Sequence, residues 1–261
     1  MKVCFTQRNS LLQIAKFYFS QIKINPIACE VGVLKGDNAE KILEYLVPKK
    51  LFLIDQWKTN DNVSDRYIYH QKFLSGQLDQ NHIDKVNNYY GGDITDQTTY
   101  DNLHNFVNAR FSKRNEVQII RKSSIEGFNE LQKIKNLSLD YCYIDASHEY
   151  QHVLDDLLFY SDILSSHGLL QINDCCHSDS GIKQNFGVLE AAINFCKVKK
   201  FSPLLITNTD WSDVIFCSDK NKYRPLIGKI VEHSDIEYVE IPNSLLGAAK
   251  VIGKRKNLSF S

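Results

Sequence analysis

The 261-residue sequence predicts an α/β fold: a doubly wound sheet, mostly parallel, with helices on both faces and an antiparallel last strand. Three observations predict it. Short apolar runs of strand length recur at residues 26–33, 51–54, 117–120, 139–144 and 168–172, and a polar residue or a glycine closes each one. Runs that are apolar on nearly every residue suit strands buried on both faces, as a parallel sheet requires. Segments with helical spacing lie between them, and alternation of the two element types is the mark of parallel strands joined by crossover helices. Residues 204–207 and 214–217, joined by 208–213, read as a closing antiparallel pair.

Taken in order, Leu11, Leu12, Ile14, Ala15, Tyr18, Phe19 and Ile22 recur at helical spacing, so 10–22 is expected to form an amphipathic helix ahead of the first strand. Residues 37–46 follow the first strand with helical character and an aspartate suited to the first turn. The stretch 56–115 is far longer than an ordinary connection and rich in Asn, Asp, Gln and Tyr, with helical pieces at 64–74 and 97–111. Insertions of that length usually serve as lids or binding loops. The expected organisation is one domain over 1–218 carrying that insertion, followed by an extension at 219–261. Within the extension, 238–241 is a candidate strand, and the basic, serine-containing end is expected to fray.

Composition narrows the function classes. Hydrophobic residues at 43% and charged residues at 24% place the chain among ordinary soluble globular proteins. Lys plus Arg and Asp plus Glu are equal at 31, so no overall basic field exists to hold a phosphate backbone, and no nucleic-acid partner is expected. The seven cysteines are odd in number and lack paired C-x-x-C spacing, and they read as buried small hydrophobes in a reducing, cytoplasmic setting. No signal-peptide pattern opens the sequence and no run is long enough to span a bilayer, so no membrane association is expected.

In an open parallel sheet a ligand lies beyond the carboxyl ends of the strands, and here those ends are polar. The first strand ends in Glu30-Val-Gly32-Val-Leu-Lys-Gly36, where two glycines allow a tight turn and close approach of a ligand; a plain strand-to-helix turn is the alternative. The second ends in Asp55, followed by Gln56 and Trp57, and an acid at this distance past the glycines suits the ribose hydroxyls of an adenosine. A dinucleotide would need G-x-G-x-x-G for its pyrophosphate, which is absent. Glu30 would repel a pyrophosphate and suits the ammonium of a methionine moiety instead. Cys175 and Cys176 adjoin this region without an evident base, as structural thiols do.

The segment Leu139-Asp-Tyr-Cys-Tyr-Ile-Asp145-Ala-Ser-His148-Glu-Tyr150, followed by His167-Gly-Leu-Leu-Gln-Ile-Asn173-Asp174, resembles the class I S-adenosylmethionine-dependent methyltransferases. Within them it is similar to the small-molecule O-methyltransferase group that includes the catechol, caffeoyl-coenzyme A and macrolide-sugar enzymes. Asn185-Phe-Gly-Val188-Leu-Glu-Ala-Ala192 and Trp211-Ser-Asp-Val-Ile-Phe216 resemble pieces of bacterial members, so the likeness spans most of 28–217.

The resemblance implies a Rossmann-like fold and a set of roles. Glu30, Gly32 and Gly36 would line the methionine end of S-adenosylmethionine, Asp55 with Trp57 beside it would hold the ribose, and Ser124 would lie near the adenine. Asp145 would border the cofactor as well. In metal-dependent members the matching positions, Asp145, Asn173 and Asp174, bind Mg2+ or another divalent cation, although the order Asn173-Asp174 departs from their usual pairs. His148 would be the general base, since a histidine near its natural pKa accepts a hydroxyl proton at neutral pH. A helix-capping role is its alternative, with His177 a second candidate and His152 a packing residue. Tyr67, Tyr69, Tyr89 and Tyr90 of the insertion would close over a small-molecule acceptor. A homo-oligomer is compatible with this reading. The rival readings are an N-methyltransferase or nucleic-acid methyltransferase on the same fold, a nicotinamide-dependent oxidoreductase, and a non-catalytic binding module.

Overall fold

A computed structural model describes residues 1–59, 80–178, 187–252 and 257–260. The apolar runs form the strands β2 (Ile27–Val31), β3 (Lys50–Asp55), β4 (Val117–Arg121), β5 (Leu139–Ile144) and β6 (Leu164–Ile172), all parallel, in the order β4-β3-β2-β5-β6. Every residue of β5 is buried, which is why its run is continuously apolar apart from Asp140. Beyond β6 the sheet continues through β8 (Val214–Ser218), antiparallel to both β6 and β7 (Phe201–Thr207). It ends with two strands that the sequence patterns leave unmarked or only partly marked: β1 (Lys2–Cys4), parallel to β7, and β9 (Tyr238–Glu240), antiparallel to β1.

Helices cover both faces because successive strand residues point to opposite sides. Cys29, Phe52, Ile54, Ile144 and Ile172 face one way, against α5 (Ser124–Gln132), α6 (Tyr150–Asp162) and α7 (Val188–Lys199) through Phe128, Leu157 and Phe195. Ala28, Leu53, Tyr141 and Leu169 face the other, against α1 (Arg8–Gln21), α4 (Gln97–Phe111) and α8 (Arg224–Glu232) through Leu11, Phe19, Leu103 and Ile227. α2 (Asp37–Lys41) follows β2 and runs on as one π-helical turn at Ile42–Leu46, and α3 (Gln80–Tyr90) precedes α4.

The observed strand β5 and helix α4 have the expected bounds, while β6 begins earlier, at Leu164, because Leu164 pairs with Leu139 across a register shift. The chain end corrects the expectation of fraying. Asn257–Ser259 (β11) pairs antiparallel with Lys250–Ile252 (β10), and Leu258 and Phe260 pack on the core. The expected helical piece at 64–74, with Tyr67 and Tyr69, lies outside the described residues, as do Asn185 and Phe186. No described helix is long and apolar enough to cross a membrane.

From β2 the chain proceeds outward to β3 and β4, then returns to β5 and proceeds to β6 on the other side. The strand order therefore reverses between β2 and β5, and open sheets of this kind bind ligands at the carboxyl ends beside such a reversal.

Candidate functional site

Gly32 leaves the end of β2 at φ +88°, and a Cβ added there would lie 2.0 Å from the Asp145 carbonyl oxygen. Its missing side chain makes room for the neighbouring strand end as well as for the turn. Gly36, at φ +78°, meets the Phe111 ring in the same way at 2.7 Å. Asp55 braces the loop between them. One of its carboxylate oxygens accepts the backbone N–H groups of Val33 and Leu34, both at 2.9 Å, and the other accepts that of Trp57 at 2.9 Å. A carboxylate offers about four acceptor positions, so roughly one remains for a ligand hydroxyl. Trp57 is buried and donates its indole N–H to the Leu34 carbonyl at 2.9 Å. Leu34 and Trp57 both adopt left-handed backbone conformations, strain of the kind that collects at functional sites. Above this loop, Lys35 donates to the Tyr89 carbonyl, which brings α3 against the glycine turn.

Glu30 is 1% exposed, and its Oε1 accepts the Asn38 side-chain amide at 2.8 Å. Its Oε2 and the Asn38 Oδ1 are both buried without a donor. Burial pushes the Glu30 carboxyl up to about 8 against the lowering effect of the Asn38 bond. Two buried acceptors without a donor, on residues joined by a hydrogen bond, match a group with several N–H donors and a positive charge, and a primary ammonium is such a group. Asn38 escapes sequence reading; its one signal is its place in the first turn of the helix that follows the glycines.

Ser124 opens α5 next to the end of β3, where the Lys122 N–H donates to the Asp55 carbonyl at 3.0 Å. The N-cap is its neighbour Ser123, which forms a capping box with Glu126. Ser124 itself faces α6: its carbonyl accepts the Tyr160 hydroxyl at 2.8 Å, and its side chain acts on Asp156. Asp156 is 2% exposed, and burial raises its pKa to about 7 against the lowering influence of Ser124.

The acids at the ends of β5 and β6 gather around one histidine. His148 Nε2 stands 3.0 Å from Asp174 Oδ2 and 3.4 Å from Asp145 Oδ1. Among the described residues, Asp145, His148 and Asp174 can bring one ligand atom each within 4.8 Å of the others. Burial alone would lower the His148 pKa, but hydrogen bonds to the two carboxylates and their charges raise it to about 10. Asp145 is correspondingly held below the usual range by His148 and Arg8 against its burial, while burial raises Asp174. The two flanking carboxylates favour the imidazolium of His148 over the neutral ring that a general base needs.

Arg8, the first residue of α1, joins the group from the far end of the sequence. Its Nε lies 3.2 Å from Asp213 and its Nη2 3.9 Å from Asp145 Oδ2, with the guanidinium over the Tyr143 ring. Asp213 is 2% exposed and accepts the Gln171 amide at 2.7 Å, and Gln171 in turn accepts the Tyr141 hydroxyl at 2.7 Å.

Of the expected metal trio, Asp145 and Asp174 come together around His148, with Asn173 against Asp174. Asn173 donates its side-chain N–H to Asp174 Oδ1 at 2.7 Å, while its Oδ1 is buried without a partner. The amide orientation follows from this partner, because an oxygen turned toward the Asp174 carboxylate would be repelled. Asp145 and Asp174 offer oxygens of the kind a hard ion such as magnesium takes, and His148 offers a nitrogen of the kind that other divalent ions accept. Of the other expected residues, His152 is exposed, against Ser147 and Glu149, and does not support packing. His177 stands 3.6 Å from Glu190, and its backbone pairs with Ala249 and Val251 of the extension. Burial raises the pKa of Cys175 and Cys176, keeping both as inert thiols, as expected.

Residues 29–175 match the family model described as a methyltransferase domain. No curated protein matches the chain. Among solved structures, spermidine synthase from Thermotoga maritima is similar in fold, at TM-score 0.50 and 12% identity over 92% of this chain and 68% of that one. The N-methyltransferase NodS from Bradyrhizobium japonicum WM9, in complex with S-adenosyl-L-homocysteine, has TM-score 0.49 and 9% identity over 81% of this chain and 86% of its own. The family match covers more than half of the 261 residues and runs from β2 through the acids at the ends of β5 and β6, so the chain belongs to the methyltransferase-domain family.

Proposed function

We propose that the protein is a class I S-adenosylmethionine-dependent methyltransferase acting on a hydroxyl of a small molecule. The observation that carries this reading is the pair of buried, unpartnered acceptors on Glu30 and Asn38 beside the glycine turn. They would receive the ammonium of the methionine moiety, and the free acceptor position of Asp55 would take a ribose hydroxyl. A nicotinamide dinucleotide would instead bring a pyrophosphate against a buried carboxyl, which favours neither partner.

S-Adenosylmethionine, when bound, supplies an electrophilic methyl group, so the protein's work is to place a nucleophile in line and accept its proton. Asp145 is the more exposed of the two carboxylates that flank His148, at 24% against 8%, and is the one within reach of an acceptor hydroxyl. As a carbon–oxygen bond would form and the methyl–sulfur bond break, leaving S-adenosylhomocysteine, the hydroxyl proton would become strongly acidic, and a carboxylate held at low pKa could take it. His148 and Arg8 keep Asp145 ionised for that step. No step is assigned to a metal.

Calorimetric titration tests the reading. S-Adenosylhomocysteine is expected to bind wild type and to bind Glu30→Gln about tenfold or more weakly, the cost of replacing a charged partner with a neutral one. NAD is expected not to bind. Binding of NAD, or no binding of the nucleoside, would sink the proposal.

A further inference from the structure

We infer that β4, the strand at one edge of the sheet, pairs antiparallel with β4 of a second copy of this chain, Ile119 against Ile119, so that two sheets join into one. The inference depends neither on the cofactor nor on the methyl acceptor.

Among the described residues β4 has a strand on one side only, β3. The Glu116 carbonyl accepts the Leu51 N–H and the Lys122 N–H donates to the Asp55 carbonyl, so these two residues turn their backbone toward β3. Backbone groups alternate sides along a strand, and those of Ile119 and Arg121 therefore face outward, as a row of donors and acceptors ready for another strand. Proteins usually blunt such an edge with a short strand, a proline or a bulge. The opposite edge follows that rule: β9 has three residues, and Pro242 stands two positions past its end. β4 has five residues without a proline and pairs with β3 residue for residue, without a bulge. Along it lies a groove of about 410 Å³ lined by residues 118–122 and by Glu130, Lys133 and Ile134 at the end of α5. Ile134 is 39% exposed, so a strand laid in this groove would cover apolar surface.

The order of charges along the edge selects the occupant. With Ile119 opposite Ile119, Glu116 of each copy stands across from Lys122 of the other, and symmetry forms that pair twice. The pair falls at a position where opposing side chains approach closest, and opposite charges there favour pairing. Both side chains are within reach of a partner: Lys122 is exposed, and Glu116, 32% exposed, meets Arg114 of its own chain only at 3.5 Å. Arg121 would oppose Val117, and its charge is already matched by Asp101. The outward N–H groups of Ile119 and Arg121 would then reach the Ile119 and Val117 carbonyls of the other copy.

Sedimentation equilibrium of the full chain tests the pairing, with circular dichroism to establish that each variant folds. Wild type is expected to be dimeric at about 50 µM. Glu116→Lys and Lys122→Glu are each expected to weaken self-association by about tenfold or more, because each sets like charges across from one another twice. Mixed in equal amounts, the two variants are expected to associate with each other about as well as wild type does with itself, since each supplies the charge that the other lacks. Ile119→Pro removes the central N–H donor and is expected to be monomeric. Should it fail to fold, the charge variants, changed only at side chains that reach solvent, still decide the question. A wild type that is monomeric at that concentration would overturn the inference. So would single variants that associate like wild type, or a mixture that does not recover association.

Discussion

Asn38 donates to one oxygen of Glu30 at 2.8 Å, while the other Glu30 oxygen and the Asn38 carbonyl are buried and receive nothing. A fold that leaves two adjacent acceptors unsatisfied loses the stabilisation a donor would give, of about 1–3 kcal/mol for each buried group. Such groups ordinarily have a partner, and under the proposed function the ammonium of the methionine moiety would supply the donors and the charge.

This pair sets a pH dependence for cofactor affinity. Burial raises Glu30 to about 8 in the empty site, and a bound ammonium requires it ionised. Below about pH 8 binding must therefore expel a proton, and affinity falls as pH falls, by at most about tenfold per unit. Calorimetry with S-adenosylhomocysteine between pH 6 and 9 is expected to show this slope in wild type and its loss in Glu30→Gln.

Asp156 gives a stability prediction free of ligand. Its pKa is raised from 3.8 to about 7 in the fold, so the native state favours the protonated form. The stability it contributes is fully present below pH 4 and is lost as pH rises to about 7. Asp156→Asn keeps the shape without the charge and is expected to raise stability at pH 8 by roughly 1–3 kcal/mol, with little change at pH 4. Thermal unfolding at the two pH values checks it; an equal effect at both would contradict it.

Gly32 and Gly91 separate steric contact from backbone conformation. Both have positive φ, +88° and +81°, but a Cβ at Gly32 meets the Asp145 carbonyl at 2.0 Å while one at Gly91 meets nothing within 4 Å. Gly91→Ala is expected to cost about 1–2 kcal/mol, the left-handed penalty alone. Gly32→Ala is expected to cost several kcal/mol and to displace Asp145, seen as a larger drop in melting temperature and loss of S-adenosylhomocysteine binding.

Trp57 braces the loop that Asp55 also holds. Trp57→Phe keeps most of the packing and removes the bond to the Leu34 carbonyl, which is expected to cost about 1 kcal/mol and weaken S-adenosylhomocysteine binding about fivefold. Unchanged affinity would show that the loop does not need this bond.

How far the sequence reveals these features depends on whether the cause is local. β5 is legible to the residue because burial on both faces makes its run apolar, and the acids that end β2, β3, β5 and β6 stand out against such runs. β1 is three residues long, and its burial comes from β7 and β9, brought together from distant parts of the chain, so no periodicity announces it. Arg8 is hidden for the same reason: at the head of an amphipathic helix it looks like a solvated charge, and only the fold sets it against Asp213 and Asp145. The charge of His148 is likewise a tertiary property, set by an aspartate on another strand. Gly32 was legible as a turn residue, but the Asp145 backbone that it accommodates was not.

A crystal structure with S-adenosylhomocysteine tests the central claim most directly. The account expects the ligand's amino nitrogen within hydrogen-bond distance of Glu30 Oε2 and Asn38 Oδ1, with a ribose hydroxyl on Asp55. A nucleoside bound elsewhere, or one that leaves those two acceptors without a donor, would contradict it.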